Sequence, residues 1–536
     1  MNNPIAFSIL AISLIAVVYV SWWSKKYTST TTDFYVAGGK ISPRLNGWAM
    51  FGDYCSAASF LGVAGAIALT GIDSWWVAIG FFGAWIFVLV ILAGPLKSSG
   101  KFTVGDVLVG RFGGNSLKFL AMLTTVVIGT LYLVPQIVGA GHLFQLLLGW
   151  DYMVTVFVSA TIMGLMVVLG GMMGTTYNQA IQGVILLVAM LLLMVLSTII
   201  YFGGNPIAII TQAMSTVPPT SAVRVMGQLP PPAEGTTYGA LALAEAIRNG
   251  FQNLPNALTP GVSVPNALNQ FSLVLGLLLG VAGLPHILIR FYTVKDAKDA
   301  KKGAELTIIG LAVFYIAVLF VGYATMTILY PYLIEMLQAG QRGRATNMAI
   351  PLIGMELGGE AVLGIIAAGA MAAMLSTSVG LLISMSTSLS HDVYSGVLRP
   401  NSTDRERVVF AKIGAAILTG VALVASIWLK DQNVAILVAM CFGIASSTFA
   451  PVLILAMWWK GLTKEGVIAG LVVGLVVSLT FTFARFSNVP EVFGITVLGN
   501  PALYGVISSV TAIVAVSLLT KNTGRVREFM ALAHRN

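Results

Sequence analysis

The chain has 536 residues, of which 57% are hydrophobic and only 9% are charged, and its mean hydropathy is +0.90. A soluble domain carries about 25% charged residues, so this composition excludes an ordinary soluble enzyme and predicts an all-α polytopic membrane protein. The net charge of +9 then indicates basic loops on the cytoplasmic side of the bilayer, and no nucleic-acid partner is expected.

Thirteen apolar segments are long enough to cross a bilayer core of about 30 Å. They run approximately over 5–23, 46–71, 75–95, 117–148, 152–170, 176–202, 270–293, 304–331, 361–390, 407–429, 433–459, 464–484 and 500–520. The first is expected to be a retained span, because no basic n-region precedes it and no clear cleavage site follows. Cys55 and Cys441 both lie inside apolar segments, which indicates buried small residues rather than a disulfide or a metal site.

The distribution of Lys and Arg predicts the orientation. With the N-terminus outside, the inner segments and loops hold 23 of the 29 basic residues, and the outer ones keep six. This asymmetry predicts a multi-pass protein of the inner or plasma membrane with its C-terminus in the cytoplasm. The long connection 203–269 then lies outside, and a short helix is expected at Tyr238–Asn249.

The second segment, Asn46 to Gly71, carries a carboxylate at membrane depth. Asp53 is flanked by small and polar residues, among them Gly52 and Ser56. A charge inside a bilayer costs about 2.5–3.5 kcal/mol on insertion scales and usually serves an ion or substrate path. Small residues beside it favour a helix break that frees carbonyls for a cation.

The seventh segment is also predicted to be broken, because it contains Gly280, Gly283 and Pro285. Two interrupted spans five spans apart indicate an inverted-repeat transporter with a site near the midplane. The expected divisions are 1–45 (first peripheral span and loop), 46–202 (first five-helix repeat), 203–269 (outer loop), 270–459 (second five-helix repeat) and 460–536 (two peripheral spans and tail).

Several motifs in order carry a resemblance to a known family. They are DFYVAGG at Asp33–Gly39, GDYCSAASFLG at Gly52–Gly62, QIVGAG at Gln136–Gly141, YNQAIQ ending at Gln182, GLPHILIRFYTVKDA at Gly283–Ala297, AAMLST at Ala372–Thr377 and SHDVYS at Ser390–Ser395. The chain resembles the sodium:solute symporter family over essentially its whole length, and within it the cation/acetate symporter branch. This resemblance implies the five-plus-five inverted-repeat (LeuT-type) fold and transport driven by a cation gradient.

The resemblance also implies a sodium site between the second and ninth spans. Its expected ligands are carbonyl and hydroxyl oxygens of Gly52, Cys55, Ala373, Ser376 and Thr377. Oxygen ligands suit a hard cation, although Ser and Thr in membrane helices often bond their own backbone instead. Asp53 is expected to support the site electrostatically. A second site, which uses an acid in some members, is not expected because Gln179 stands there.

The substrate is expected beside the broken centres of the second and seventh spans, where helix N-termini favour a carboxylate. The candidate residues are Tyr54, Ser56, Ser59, Gln136 and His286. His286 could bind an anion, titrate with a coupled proton, or only pack at the Pro285 break. Arg290 is expected to be a cytoplasmic anchor rather than a carboxylate clamp, because lysines follow it.

The roles of two other histidines stay open at this point. His142 is expected near the outer end of its span, and His391 with Asp392 at an inner mouth, as a gate or cap rather than a catalytic dyad. There is no Walker loop, so ATP is not the expected energy source, and an enzyme is not expected.

These patterns predict a secondary transporter that takes up acetate or a related short monocarboxylate with Na⁺. Coupling to H⁺ is an alternative, as is another small solute such as proline, urea, pyruvate or glycolate. A passive channel or a solute sensor is an alternative hypothesis from a different functional class of membrane protein. The expected partners are the small carboxylate and the lipid bilayer, without an obligate protein partner.

Overall fold

The computed structural model describes residues 3–27, 30–100, 102–226, 256–261, 267–521 and 525–534. The expected helix at Tyr238–Asn249 lies outside these residues. The helices, numbered in chain order, are α1 Pro4–Ser24, α2 Thr31–Val36, α3 Pro43–Tyr54, α4 Ala64–Thr70, α5 Trp75–Ile91, α6 Ala93–Ser99, α7 Val104–Phe112, α8 Asn115–Leu148, α9 Tyr152–Tyr201, α10 Pro206–Met214, α11 Pro219–Met226, α12 Ala267–Gly280, α13 Pro285–Leu288, α14 Ala297–Ile328, α15 Tyr330–Gln338, α16 Arg342–Ser388, α17 Asp404–Trp428, α18 Val434–Ser447, α19 Phe449–Trp458, α20 Lys464–Phe486, α21 Ala502–Leu519 and α22 Val526–Ala533.

Shorter elements connect these helices. A π-helix covers Ala58–Val63 and another Leu389–Leu398, and 3₁₀ turns cover Val281–Gly283 and Ile289–Tyr292. A small antiparallel hairpin pairs β1, Glu491–Val492, with β2, Ile495–Thr496. The predicted all-α class is therefore correct for the described residues.

The long helices follow from apolar runs that are bounded by capping residues. The Thr103 hydroxyl accepts a hydrogen bond from the N–H of Asp106 at the start of α7, and the Asp106 carboxylate accepts one from the Thr103 N–H. Thr403 and Glu406 form the same reciprocal cap on α17. Each box satisfies backbone donors that have no partner within the helix.

The second span is broken, as the sequence predicts. Helix α3 ends at Tyr54, Cys55 leaves the helical region (φ −71°, ψ 88°), and the chain resumes as a helix near Ala58. Gly52 does not make the break but lies inside α3, where a Cβ would overlap the carbonyl of Gln179 on α9. Gly52 thus permits close helix packing, and the interruption belongs to Cys55 and Ser56.

The seventh span is broken as well. Leu284 is extended between the 3₁₀ turn and Pro285, and the two arms, Ala267–Gly283 and Pro285–Tyr292, meet at 42°. Pro285 occupies the first position of α13, where its missing N–H costs no hydrogen bond. Gly283 approaches the carbonyl of Ala445 so closely that a side chain there would overlap it.

Ten continuous helices in the described part of the chain are long and apolar enough to cross a membrane, and the bent pair makes eleven. The count of thirteen therefore stays a prediction. Two of the ten helices merge predicted spans: Tyr152–Tyr201 contains a non-helical Gly171 (φ 55°, ψ −165°), and Ala58–Ile91 joins half of the second span to the third. Each of these two continuous helices therefore contains two runs that the sequence predicts as separate spans.

Packing around α3 brings the two broken spans to the centre of the molecule. Helix α3 contacts α9, α14 and α16, and α13 contacts both α16 and α3. The close approaches between these helices use glycines. At Gly65, a Cβ would overlap the carbonyl of Thr346.

Candidate functional site: an oxygen cluster and a buried ion pair

The open C-terminal end of α3 meets two hydroxyls of α16. Ser376 Oγ lies 2.6 Å from the carbonyl oxygen of Gly52, and Thr377 Oγ1 lies 2.6 Å from that of Asp53. The carbonyls in the last turn of a helix have no partner within it, so α16 supplies donors that the break in the chain removed. Both hydroxyls are fully buried.

These contacts collect hard oxygen atoms from two helices. Ser376 Oγ also lies 3.0 Å from the Ala373 carbonyl oxygen within its own helix. The set of Gly52 O, Ala373 O, Ser376 Oγ and Thr377 Oγ1 matches the ligand chemistry of a hard cation such as Na⁺. Cys55 lies directly at the break, and its N–H donates to the Phe51 carbonyl. The donor set therefore fits the ion expected from the sequence.

Gln179 on α9 forms a hydrogen bond to this oxygen cluster. Its Nε2 donates to the Ser376 carbonyl oxygen at 2.7 Å, and the side chain is fully buried. The sequence pointed to Gln179 only as a missing acid. The contact instead makes it a neighbour of the same oxygen cluster.

Asp53 forms a buried ion pair with Arg290. Arg290 Nε lies 3.2 Å from Asp53 Oδ2, both side chains are 0% exposed, and Arg290 Nη1 donates to Thr176 Oγ1 at 2.8 Å. The expectation that Arg290 is a cytoplasmic anchor is wrong, since an anchor has its head group in water. The following lysines suggested an exposed position, but Arg290 lies in the arm after the bend at Pro285 and is buried next to Asp53.

The Asp53 carboxylate packs directly against α16, because residue 380 of that helix is a glycine. A Cβ at Gly380 would overlap Asp53 Oδ1. The backbone carbonyl of Asp53 contacts Thr377 while its carboxylate is directed to Arg290. Asp53 thus joins the oxygen cluster through its main chain and the ion pair through its side chain.

Three of the five candidate substrate residues lie around Tyr132 on α8. Gln136 Oε1 accepts from the Ala57 N–H at 3.0 Å, the Tyr132 hydroxyl lies 3.4 Å from Ser56 Oγ, and the rings of Tyr132 and His286 lie 5.3 Å apart, edge to face. Both ring nitrogens of His286 are buried without a hydrogen-bond partner among the described residues. A buried polar group without a partner is costly, so this ring has hydrogen-bonding capacity available for a ligand.

The other two candidates lie farther along the same cluster of aromatic rings. The Tyr54 hydroxyl donates to the Phe81 carbonyl oxygen at 2.9 Å, and Ser59 Oγ lies 2.9 Å from the Tyr315 hydroxyl. The rings of Phe81 and Tyr315 stack 6.4 Å apart. Neither Tyr54 nor Ser59 contacts His286 in a hydrogen bond or ring pair, and both already have polar partners.

The two ends of the molecule differ in access to this centre. At the end predicted to be outside, a cavity of about 400 Å³ is lined by residues that include Thr70, Gln270 and Asp431. At the other end, the space between Phe102 and Pro285 holds only about 10 Å³. Because Ser56, Tyr54 and His286 are at most 1% exposed, the central residues are sealed from both ends.

An ionic cluster closes the narrow end. His391 Nε2 lies 2.9 Å from Asp106 Oδ1, and Asp392 accepts hydrogen bonds from Thr103 Oγ1 at 2.8 Å and from Ser388. Burial raises the pKa of Asp106. The nearby His391 and the backbone N–H groups that donate to the carboxylate have the larger effect and bring this pKa below its usual range. The role of His391 and Asp392 as a gate or cap at an inner mouth stays a prediction.

His142 lies at the opposite end, as expected. It lines a cavity of about 50 Å³ with Tyr332 and Arg344, and its ring lies 5.1 Å from that of Tyr152. Cys55 and Cys441 are buried free thiols, as the sequence predicted.

The sodium:solute symporter family model matches residues 34–474 of this chain. The chain belongs to the sodium:solute symporter family. It is therefore a multi-pass membrane transporter for a small solute and not an enzyme. The resemblance seen in the motifs is confirmed at the level of the family.

Two curated relatives cover almost the same length. The chain is 35% identical to the "Monocarboxylic acid transporter" of Corynebacterium glutamicum over 489 residues, which are 90% of this chain and 84% of the relative. It is 34% identical over 504 residues to the "Uncharacterized symporter YwcA" of Bacillus subtilis, with 94% and 90% covered. The relatives of this symporter thus include a transporter of monocarboxylic acids.

Solved structures share the fold. A Na⁺-coupled sialic acid symporter in a substrate-bound outward-open state matches with a TM-score of 0.70 at 17% identity, over 97% of this chain and 99% of the other. Mhp1, a nucleobase-cation-symport-1 family transporter in a closed conformation, matches with a TM-score of 0.51 at 12% identity, over 93% and 98%. The predicted LeuT-type fold is confirmed.

Proposed function

We propose that this symporter couples the inward movement of Na⁺ to uptake of acetate or a related short monocarboxylate. The contact of Ser376 and Thr377 with the carbonyls of the broken span carries the proposal for sodium. The name of the Corynebacterium glutamicum relative supports a monocarboxylate as the solute. Family membership supports a cation as the driving ion.

The sodium site is proposed at Gly52, Cys55, Ala373, Ser376 and Thr377. Sodium binding there would exchange the two hydroxyl-to-carbonyl hydrogen bonds for ion–oxygen contacts, so the ion would link α3 to α16 directly. Asp53 is proposed to support the site electrostatically from next to it, and its pairing with Arg290 compensates the buried carboxylate. A single coupling cation is proposed, because the amide of Gln179 supplies a donor to the Ser376 carbonyl where some family members have an acid.

The substrate site is proposed around Ser56, Gln136 and His286, with Tyr54 and Ser59 at its edge. The unpartnered ring nitrogens of His286 could donate one hydrogen bond to a carboxylate. The ring of Phe442 lies 5.0 Å from that of Phe81 and 5.7 Å from that of Tyr132, and the Tyr132 ring lies 5.3 Å from that of His286. Such a tight apolar surround favours a short acyl chain over a bulky solute.

The proposed transport cycle rests on the different cavity volumes at the two ends of the molecule. We place the N-terminus outside and the C-terminus in the cytoplasm, with repeats at 46–202 and 270–459, so that the cavity of about 400 Å³ faces outward. Sodium binding would stabilise the outward-facing arrangement by joining α3 to α16. Substrate binding at the break would then permit closure and opening of the inner mouth.

Uptake of labelled acetate into proteoliposomes tests both parts of the proposal. An inward Na⁺ gradient should accelerate uptake, an H⁺ gradient alone should not, and unlabelled propionate, pyruvate or glycolate should compete while proline and urea should not. Acceleration by H⁺ without Na⁺ would assign the coupling to protons. Competition by proline or urea alone would assign another solute.

Counterflow in the same vesicles distinguishes a carrier from a passive channel. Vesicles loaded with unlabelled acetate should concentrate labelled acetate transiently above its outside level, because inward and outward solute share one site. A channel or a solute sensor gives no such accumulation. Its absence in vesicles that still equilibrate acetate would contradict the carrier.

A further inference from the structure

A cavity away from the transport path lies at the lysine-rich end of the molecule. It has a volume of about 560 Å³ and lies between α5, α6, the start of α14, the end of α19 and the C-terminal helix α22. A cavity of this size falls in the range of small-ligand sites. Neither the sodium site nor the proposed substrate site includes any residue that lines it.

The charge of this cavity is strongly unbalanced. Lys298, Lys301 and Lys302 line it, and Glu305 is the acidic residue among its lining residues. None of the three lysines forms an ion pair with any residue that the structure describes. The cavity therefore holds uncompensated positive charge that attracts an anion.

Specific side-chain contacts hold the walls of the cavity in place. The stem of Lys301 runs across α6, where a Cβ at Gly94 would lie 3.0 Å from its Cε. His534 donates from Nε2 to the Met457 carbonyl oxygen at 2.9 Å, and its ring lies 4.6 Å from that of Trp458. These contacts fasten the end of α22 against α19 and close one side of the cavity.

One wall is apolar and faces outward from the helix bundle. Val90 on α5 is 65% exposed and Trp458 is 50% exposed, although the Trp458 indole N–H donates to the Ile91 carbonyl oxygen at 3.1 Å. Tryptophan with its apolar ring exposed and its N–H bonded is typical of the membrane–water interface. The cavity thus combines a cationic floor with a side that acyl chains can approach.

We propose that this cavity binds the headgroup of an anionic phospholipid. The phosphate would lie among Lys298, Lys301 and Lys302, and the acyl chains would extend over Val90 and Trp458. Basic pockets between transmembrane helices at one face of a membrane bind such headgroups. A free phosphate ion would use the lysines but would gain nothing from the apolar wall, so the two sources of phosphate are separable.

The test uses the purified full chain in a neutral detergent. Thermal unfolding is measured with added phosphatidylglycerol, with phosphatidylcholine, and with inorganic phosphate at the same phosphate concentration. Phosphatidylglycerol should raise the midpoint temperature of unfolding, whereas the other two should not. An equal rise with inorganic phosphate or with phosphatidylcholine would overturn the assignment to an anionic lipid.

Two variants locate the effect. Replacing Lys298, Lys301 and Lys302 with Gln should weaken phosphatidylglycerol binding about a hundredfold. A matched triple variant with Lys40→Gln, Arg405→Gln and Lys412→Gln removes the same charge elsewhere at this end and should keep the response. Equal loss in both triples would mean a diffuse charge effect, and the proposal would fail.

A third variant fills the cavity without changing its charge. Ala297→Trp adds a large side chain to the lining and should abolish the lipid-dependent rise, while the midpoint without lipid shows whether the variant still folds. Native mass spectrometry should then detect one retained phosphatidylglycerol fewer than in the unmodified chain. Retention of the same number in both the Trp variant and the Lys298, Lys301 and Lys302 triple would contradict the site.

Discussion

Two ion pairs connect early and late parts of this chain, and their surroundings differ. Asp53 and Arg290 lie 3.2 Å apart at the centre with both side chains 0% exposed. Asp106 and His391 lie 2.9 Å apart at the narrow end with side chains 16% and 21% exposed. Because the distances are similar, we expect the two pairs to differ in energy through their exposure to water rather than through their geometry.

Burial makes the central pair hard to separate. Removing a charge from water costs several kcal/mol, and a buried partner left alone keeps that cost without compensation. A pair that retains contact with water loses much less when it opens. The central pair is therefore suited to hold the two broken spans together throughout transport, and the pair at the narrow end is suited to open and close.

The largest effect is expected when the central pair is broken from one side. Arg290→Met leaves Asp53 buried without its partner and should lower the free energy of unfolding by about 3–5 kcal/mol. Thermal unfolding of the purified protein measures this loss. The double variant Asp53→Asn with Arg290→Met should recover part of it, and a double variant as unstable as the single one would contradict the assignment to uncompensated charge.

Removing the hydroxyls beside the central pair should change coupling more than stability. Ser376→Ala with Thr377→Ala deletes two oxygen ligands and should abolish the Na⁺ stimulation of acetate uptake in proteoliposomes. Ser378→Ala is the matched control, because that hydroxyl bonds its own helix at Met374 and should leave the stimulation intact. Unchanged stimulation in the Ser376 and Thr377 variant would refute the sodium site.

A smaller effect is expected from the unpartnered ring near the centre. His286→Phe keeps an aromatic ring against Tyr132 but removes the donor, so the apparent KM for acetate should rise about tenfold or more. Concentration-dependent uptake at saturating Na⁺ measures it. His142→Phe, at the far end of the molecule, should leave KM unchanged, and an equal rise in both variants would remove His286 from the substrate site.

The smallest effect is expected at the narrow end. Asp106→Asn should lower the free energy of unfolding by only about 0.2–1 kcal/mol. The lowered pKa of Asp106 means that its contribution is present above the ordinary aspartate value of about 3.9 and is lost as the pH falls through the folded value. The stability difference from the unmodified protein should thus persist from pH 7 down to pH 5.

Thermal unfolding of both proteins at several pH values measures this comparison. A difference that disappears between pH 7 and pH 5 would show that Asp106 does not carry it. If Asp106→Asn lowers the free energy of unfolding as much as Arg290→Met does, the two pairs are equally shielded from water. The contrast between them would then be wrong.

The sequence was sufficient for the features that depend on local pattern. Apolar runs, the basic asymmetry and the residues at Gly283 and Pro285 predicted a broken-span transporter, because helix length and proline geometry are local properties. Ser376 and Thr377 were also named as candidates from a short motif, and their hydroxyls contact the carbonyls of the broken span. The position of the first break was less accurate, since Gly52 serves packing against Gln179 and only the contact surface distinguishes a packing glycine from a flexible one.

The sequence by itself determined the class of the protein, its apolar spans and the residue types that could bind a cation. Only the tertiary structure decided which of those residues meet. Arg290 was expected at a membrane surface and instead neutralises Asp53, which lies 237 positions away in the chain. Gln179 was noted as an absent acid and instead donates to Ser376. Partners so distant in sequence leave no local pattern, because burial and the bend at Pro285 bring them together.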